Sequence, residues 1–104
     1  HPTGRIINKR PPYEVDIDEI IKAAKRTGTI LEIDASPERL DSKDEYIRKC
    51  VEAGVKMVID SDAHSVHGFQ FLKFGIAQAR RGWAQRRDIL NALPLRDFLR
   101  HLKK

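Results

Sequence analysis

Apolar residues recur along this chain with two different periods, and the periods alternate. From Asp16 to Lys25 the apolar positions are Ile17, Ile20, Ile21 and Ala24, a helical spacing. Asp16 with Glu19 resembles a capping box and Gly28 is a stop signal. Thr29-Ile30-Leu31-Glu32-Ile33 is short and β-branched, which predicts a strand. Ala35 to Asp41 reads as a loop around Pro37. Ser42 and Glu45 form an S-x-x-E box, Ile47, Cys50 and Val51 make a buried stripe, and Gly54 ends that helix. Val55 to Asp60 predicts a second strand, and its continuous run Met57-Val58-Ile59 implies burial on both faces, as in a parallel sheet. Gly68 to Arg81 is helical, with Phe71, Leu72, Ile76 and Ala79 on one face. Gly82 closes it, and Trp83 reads as a packing plug. Ile89, Leu90 and Leu93 predict a short helix before Pro94; Leu95, Phe98, Leu99 and Leu102 predict a last one.

Helices alternating with strands define an α/β class built from parallel strands and right-handed crossovers. There is no internal repeat and no low-complexity segment. Two strands are too few to make a closed barrel or a covered sheet. The chain also opens on His1, inside the Pro/Gly turn His1-Pro2-Thr3-Gly4-Arg5, with no element before it. Both features lead to the expectation that the domain extends upstream. Sheet edges and helix faces uncovered in this way should drive self-association or a rearranged packing of the last helices.

Composition narrows the class. The 104 residues are 40% hydrophobic and 34% charged, with a mean hydropathy of −0.52. That is enough apolar material for a core, and it argues against disorder and collagen-like repeats. No apolar run approaches the roughly 20 residues a spanning helix needs, and no signal peptide opens the chain, so no membrane partner is expected. Cys50 is the single cysteine and cannot form an internal disulfide, which fits a reducing, cytoplasmic compartment. The net charge of +5 tilts toward polyanionic partners, weakly, because the stretch from Arg80 to Lys104 carries much of the excess.

The most informative stretch is Asp60-Ser61-Asp62-Ala63-His64, directly after the second predicted strand. In α/β folds the carboxyl ends of strands carry the site. Asp62 and His64 are two apart, so on an extended segment they project to one side. A carboxylate and an imidazole placed so can hold one divalent ion or two adjacent ones, with Zn, Mn or Fe suited to those donors. The alternative is an N-cap and turn that starts the next helix. His1 lies in a turn of the same kind. Arg5 can grip a phosphate through its forked guanidinium. Glu32 and Asp34 share one side of a strand end; Glu32 can pair with a core cation, and Asp34 can accept backbone N–H bonds in the Ala35–Pro37 turn. Arg80 and Arg81 fall at the far end of a helix, roughly 20 Å from the Asp62 loop, and read as charges favourable at a helix C-terminus.

These residues give the chain a resemblance. HPTGR at 1–5, TGTILEIDASPERLD at 27–41, GVKMVIDSDAH at 54–64, FGIAQARRGW at 74–83 and ILNALPL at 89–95 together resemble the C-terminal part of a PHP (polymerase and histidinol phosphatase) domain. More narrowly, they resemble the PHP domain attached to bacterial and archaeal family X DNA polymerases. The resemblance implies that residues 1–104 are the C-terminal portion of a distorted, seven-stranded, TIM-like βα barrel. It implies a cluster of up to three divalent metals, Mn or Zn, at the carboxyl ends of the strands. His1 matches the histidine of the late H-P-T-G-R motif, and Asp62 and His64 match the final D-x-H motif; the resemblance assigns the three to different metals. Arg5 is the implied phosphate contact, and Asp34 a residue just outside the ligands. At Asp34 the sequence departs from the pattern, since polymerase-linked relatives usually carry Asn there. The implied chemistry is phosphoester hydrolysis, including 3′→5′ exonuclease action in DNA repair or proofreading. The implied partners are DNA, through a parent chain, and the upstream half of the same barrel. The remaining ligands belong to that upstream half, so the 104 residues alone are expected to be inactive. Two other functions stay open: a basic, non-catalytic module that binds nucleic acid or protein, and a phosphatase for a small phosphate monoester.

Overall fold

The computed structural model describes residues 1–102, so the last two residues of the basic C-terminal stretch lie outside it. The helix α1 (Ile17–Thr27) starts where the pattern places it. The Asp16 carboxylate accepts from the Glu19 N–H at 3.2 Å. The Glu19 side chain turns to Lys22 instead of closing the box, so half of the expected motif forms. Ile17, Ile21 and Ala24 face the core. The strand β1 (Leu31–Asp34) begins two residues later than expected. The Thr29 N–H still closes the end of α1 by donating to the Ala24 carbonyl at 3.0 Å, and so cannot join a sheet.

The helix α2 (Asp44–Ala53) crosses to β2 (Met57–Asp60), and the two strands pair in parallel from Leu31↔Met57 to Asp34↔Asp60. The S-x-x-E box is not the cap. Lys43 takes the N-cap position without a side-chain bond, while Ser42 is drawn inward beside Asp41 and buried. Gly54 ends α2 at φ 78°, a left-handed conformation in which a Cβ is strained. The expected burial of β2 on both faces is only partial: Met57 and Ile59 are buried and Val58 is half-buried.

The long helix expected from Gly68 splits. Residues Val66–Phe71 wind as a 3₁₀ turn, and α3 (Leu72–Arg81) follows. Gly68 lies so close to Ala63 that an added Cβ would sit 2.8 Å from the Ala63 Cβ, which holds this turn tight against the loop after β2. Further along, a Cβ on Gly75 would meet Ile59 Cγ2 at 2.6 Å and Ala35 Cβ at 2.7 Å. Glycine there lets α3 lie directly on both strands. The core joins Ile21, Ile33, Ile47, Cys50, Met57 and Ile89 across the sheet and the first helices. Burial pushes the Cys50 thiol up to about 11, consistent with a packing role. Trp83 does not plug the core. It is 63% exposed, with the Arg48 guanidinium 3.6 Å from its ring centroid.

Two short 3₁₀ turns (Arg86–Asp88 and Leu90–Ala92) lead to α4 (Leu95–His101), on which no residue is buried. The first turns carry a device that finishes β2. Ile89 bridges Met57 in parallel. The Asn91 side chain then mimics a strand partner: its amide donates to the Ile59 carbonyl at 2.6 Å and its oxygen accepts from the Ile59 N–H at 3.1 Å. Asn91→Ala should cost about 1 kcal/mol in urea unfolding, since water can replace these bonds in part. A change under a few tenths would mean that the bracket contributes nothing. Among the described residues no helix is long and apolar enough to cross a membrane.

Candidate metal centre at the carboxyl ends of the strands

Two parallel strands that end in register bring their last side chains together. Here the register sets Asp34 opposite Asp60. Glu32 lies two residues back along β1, and Asp62 two residues on from Asp60, with φ 50° turning it out of the strand path. Four carboxylates thus converge where the sheet stops.

His1 reaches the same place by way of Asp41. That carboxylate is fully buried and accepts from the Thr3 N–H (2.9 Å), the Thr3 hydroxyl (2.9 Å) and the Gly4 N–H (2.9 Å). It clamps the first turn of the chain, while its own backbone bridges Asp34. This side chain ties the turn to the segment that follows β1, and Arg5 adds bonds to the Arg39 and Leu40 carbonyls of the same segment. The Tyr13 hydroxyl adds a bond to the His1 carbonyl at 3.3 Å.

So held, the imidazole of His1 lies between two carboxylates. Nδ1 is 2.8 Å from Asp34 Oδ2, and Nε2 is 3.3 Å from Asp62 Oδ2. Ligand atoms of His1, Asp34 and Asp62 all lie within 4.8 Å of one another. Two ligands about 2.0–2.2 Å from one tetrahedral ion stand roughly 3.3–3.5 Å apart. The Nε2–Oδ2 pair has that spacing, and an imidazole beside carboxylates is a donor chemistry that suits a divalent cation.

The electrostatics point the same way. Asp34 is fully buried. Its Oδ1 accepts from the Ser36 N–H at 2.9 Å, as the turn reading expects. Its Oδ2, although close to Nδ1, is not aligned with a ring N–H and has no hydrogen bond. Burial, with smaller contributions from the charges of Glu32 and Asp62, raises the Asp34 carboxyl above its ordinary value despite the Ser36 bond. Asp60 is pushed up to about 7 by burial, by a hydrogen bond shared with Glu32, and by the charges of Glu32, Asp34 and Asp62. Carboxylates crowded in this way repel one another, and a bound ion would relieve that.

His64 stands outside the three-residue group. It is exposed, and its Nδ1 lies 2.7 Å from the Asp62 carbonyl. A carbonyl only accepts, so Nδ1 carries the proton and Nε2 presents a lone pair outward. Arg5 is half-committed: Nε donates to the Arg39 carbonyl at 2.7 Å and Nη2 to that of Leu40 at 2.6 Å. Three of its five N–H groups remain for an oxyanion. Arg81 pairs with Asp44 at 3.2 Å, and His67 and His101 are exposed.

The geometry corrects one reading and adds two residues. Among the described residues Glu32 is paired with no lysine or arginine; it shares a hydrogen bond with Asp60. Asp60, quoted in the sequence only as part of a motif, belongs to the acidic group; its placement two residues before Asp62 was the available signal. Asp41 had no local signal, because the groups it holds lie 37 and 38 residues away.

No protein-family model matches the chain. Over all 104 residues it is 44% identical to the DNA polymerase/3'-5' exonuclease PolX of Bacillus subtilis (strain 168), and it spans 18% of that protein's length. The expected resemblance to a DNA polymerase of this kind is therefore borne out, and the relative is an enzyme. From its first residue to its last, the chain is similar to a segment of a DNA polymerase that is also a 3'-5' exonuclease.

Proposed function

We propose that this chain is the C-terminal portion of a PHP-type, metal-dependent phosphoesterase domain, part of a distorted βα barrel in a family X DNA polymerase. Its parent would act on DNA as a 3′→5′ exonuclease in repair or proofreading. The observation that carries the reading is the approach of His1 Nε2 to Asp62 Oδ2, 3.3 Å apart at the carboxyl ends of two parallel strands. His1, Asp62 and His64 are the metal ligands of this proposal. A bound divalent ion, Mn or Zn, supplies phosphate charge neutralisation and a more acidic water.

The chain's own residues do the rest. Asp41 holds the first turn so that His1 meets the strand ends. The Asp62 carbonyl fixes the His64 tautomer, leaving Nε2 as the donor atom. The free N–H groups of Arg5 are available to a phosphate oxygen. The remaining ligands lie elsewhere in the parent, so the 104 residues alone do not cut DNA.

The test is made in the parent enzyme, on 3′-labelled single-stranded DNA with Mn²⁺. Asp62→Asn and His64→Ala should each lower exonuclease turnover by about 100-fold or more, with nucleotide addition unchanged. Undiminished cleavage in both variants would overturn the proposal. So would metal-independent, salt-sensitive DNA binding as the chain's only activity, which would mark a basic binding module instead.

A further inference from the structure

We infer that Arg10 and Arg39 join Arg5 in a phosphodiester site separate from the acidic group, one that grips an uncleaved phosphate of a single DNA strand whose end lies at the strand ends. The inference rests on the exonuclease reading above and deepens it, because such a site separates a polymeric substrate from a small phosphate monoester.

The observation is three guanidinium groups gathered on one another's main chain. Arg5 reaches into the loop after β1, where Nε donates to the Arg39 carbonyl at 2.7 Å and Nη2 to the Leu40 carbonyl at 2.6 Å. Arg39 reaches back, with Nη1 3.5 Å from the Arg5 carbonyl. Arg10 closes the group, its Nε donating to the Gly4 carbonyl at 2.9 Å. Backbone contacts hold the two loops together: Ile6 bridges Arg10, and the Ile7 N–H donates to the Glu38 carbonyl at 2.7 Å. Three whole positive charges are thus assembled around the consecutive residues Gly4 and Arg5. Carbonyl dipoles offset their mutual repulsion only in part, and an oxyanion among them would remove it.

The chain's acids do not neutralise this group. Arg48, Arg81, Arg96 and Arg100 each meet a carboxylate. Arg5, Arg10 and Arg39 meet only carbonyls among the described residues. The Asp41 carboxylate, next in sequence to Leu40, is spent on Thr3 and Gly4. A guanidinium has five N–H groups. Arg10 commits one and keeps both terminal nitrogens open; Arg39 commits one, at the outer limit of hydrogen-bond distance. Open forks of this kind match phosphate oxygens, and forks already braced on carbonyls lose little freedom on binding.

Placement decides which phosphate they take. His1 and Arg5 are four residues apart, so at most roughly 14 Å separates their backbones. A DNA strand advances about 3.4 Å per nucleotide, so a strand ending at His1 passes the arginines within about four nucleotides. A small monoester has no second phosphate to offer them.

The test is made on the parent enzyme with Arg10→Gln and Arg39→Gln. Glutamine keeps an N–H for the carbonyl and loses the charge. Each variant should raise the exonuclease KM for a single-stranded oligonucleotide about 10-fold, with kcat moved less than about 2-fold. The log–log salt dependence of that KM should flatten by about 0.7 per variant. The preference for the oligonucleotide over bis(p-nitrophenyl) phosphate, a diester with one phosphate, should fall about 10-fold. Arg87→Gln removes the same charge at the opposite end of β2, where the Lys56 ammonium donates to the Arg87 carbonyl at 2.8 Å, and should move KM less than about 2-fold. Thermal melting of each variant guards against misfolding. If KM stays within about 2-fold in both arginine variants, or rises as much in Arg87→Gln, the arginines only brace their carbonyls and the inference is overturned. The exonuclease reading would then still stand on the Asp62 and His64 variants. If those two keep full cleavage, that reading fails by itself. Oligonucleotide binding with a chelator present then decides the arginines alone: an unflattened salt slope in Arg10→Gln and Arg39→Gln overturns them.

Discussion

Asp41→Ala should destabilise the chain by about 3–5 kcal/mol, the largest effect expected of any single substitution in the molecule. The wild-type carboxylate is fully buried and satisfies three donors at once: two backbone N–H groups and the Thr3 hydroxyl. Truncation would strand all three away from water. The loss would not stay local. The same carboxylate holds the turn that carries His1, and the Asp41 backbone pairs with Asp34. Chemical denaturation of wild type, Asp41→Ala and Asp41→Asn gives the measurement. The asparagine variant keeps one carbonyl acceptor and should recover part of the loss. Amide exchange at Thr3 and Gly4 should speed up in the alanine variant well before global unfolding. A cost under 1 kcal/mol would mean that the turn is held by something else, and the route that brings His1 to the strand ends would have to be reconsidered.

With metal removed by a chelator, the chain should become less stable as the pH rises from about 4 to about 7. The cause is Asp60. Unfolded, its carboxyl ionises near the ordinary aspartate value of about 3.9; folded, burial and the neighbouring carboxylates place it at about 7. Between those values the native state holds a proton that the unfolded state has released. Linkage then makes the unfolding free energy fall with rising pH, and the fall ends above about 7, when both states are ionised. Asp34, raised for similar reasons, adds to the slope in the same direction. Because Asp60 is only half-buried, solvent screening reduces the loss to on the order of 2 kcal/mol. Urea unfolding at pH 5 and pH 8 measures it, and Asp60→Asn should flatten most of the difference. A chain that is more stable at pH 8 than at pH 5 would contradict the electrostatics of the site. Divalent metal should oppose the loss at high pH by neutralising the same carboxylates.

Several parts of the site are local facts of the sequence. A hydrophobic run followed by Asp-Ser-Asp-Ala-His puts Asp62 and His64 just past a strand end wherever that strand happens to pair. Asp34 is legible in the same way, as the last residue of β1 with a turn behind it, and its Ser36 bond spans only two residues. The caps at Asp16 and Gly54 follow from side-chain and backbone preferences within one helical turn. The failures are equally specific. Ser42 has the right spacing for a cap but is buried beside Asp41, so a distant contact outweighs a local preference. Trp83, expected as a packing plug after Gly82, is exposed instead, with the Arg48 guanidinium of α2 over its ring. The helix expected from Gly68 becomes an α-helix only at Leu72, after a 3₁₀ turn over Val66–Phe71.

The sequence by itself determined the alternation of helix and strand and that both strands end in acids. Those properties depend on neighbours within a few residues, where periodicity and turn chemistry act. Tertiary structure alone decided that His1 stands against Asp34 and Asp62, that Asp41 holds it there, and that Arg5 is partly committed to backbone carbonyls. Each of these joins groups more than thirty residues apart. Only the parallel pairing of β1 with β2 and the buried clamp at Asp41 fix such distances, because a charge or a hydrogen-bonding group in the interior must find its partner wherever the folded chain places one.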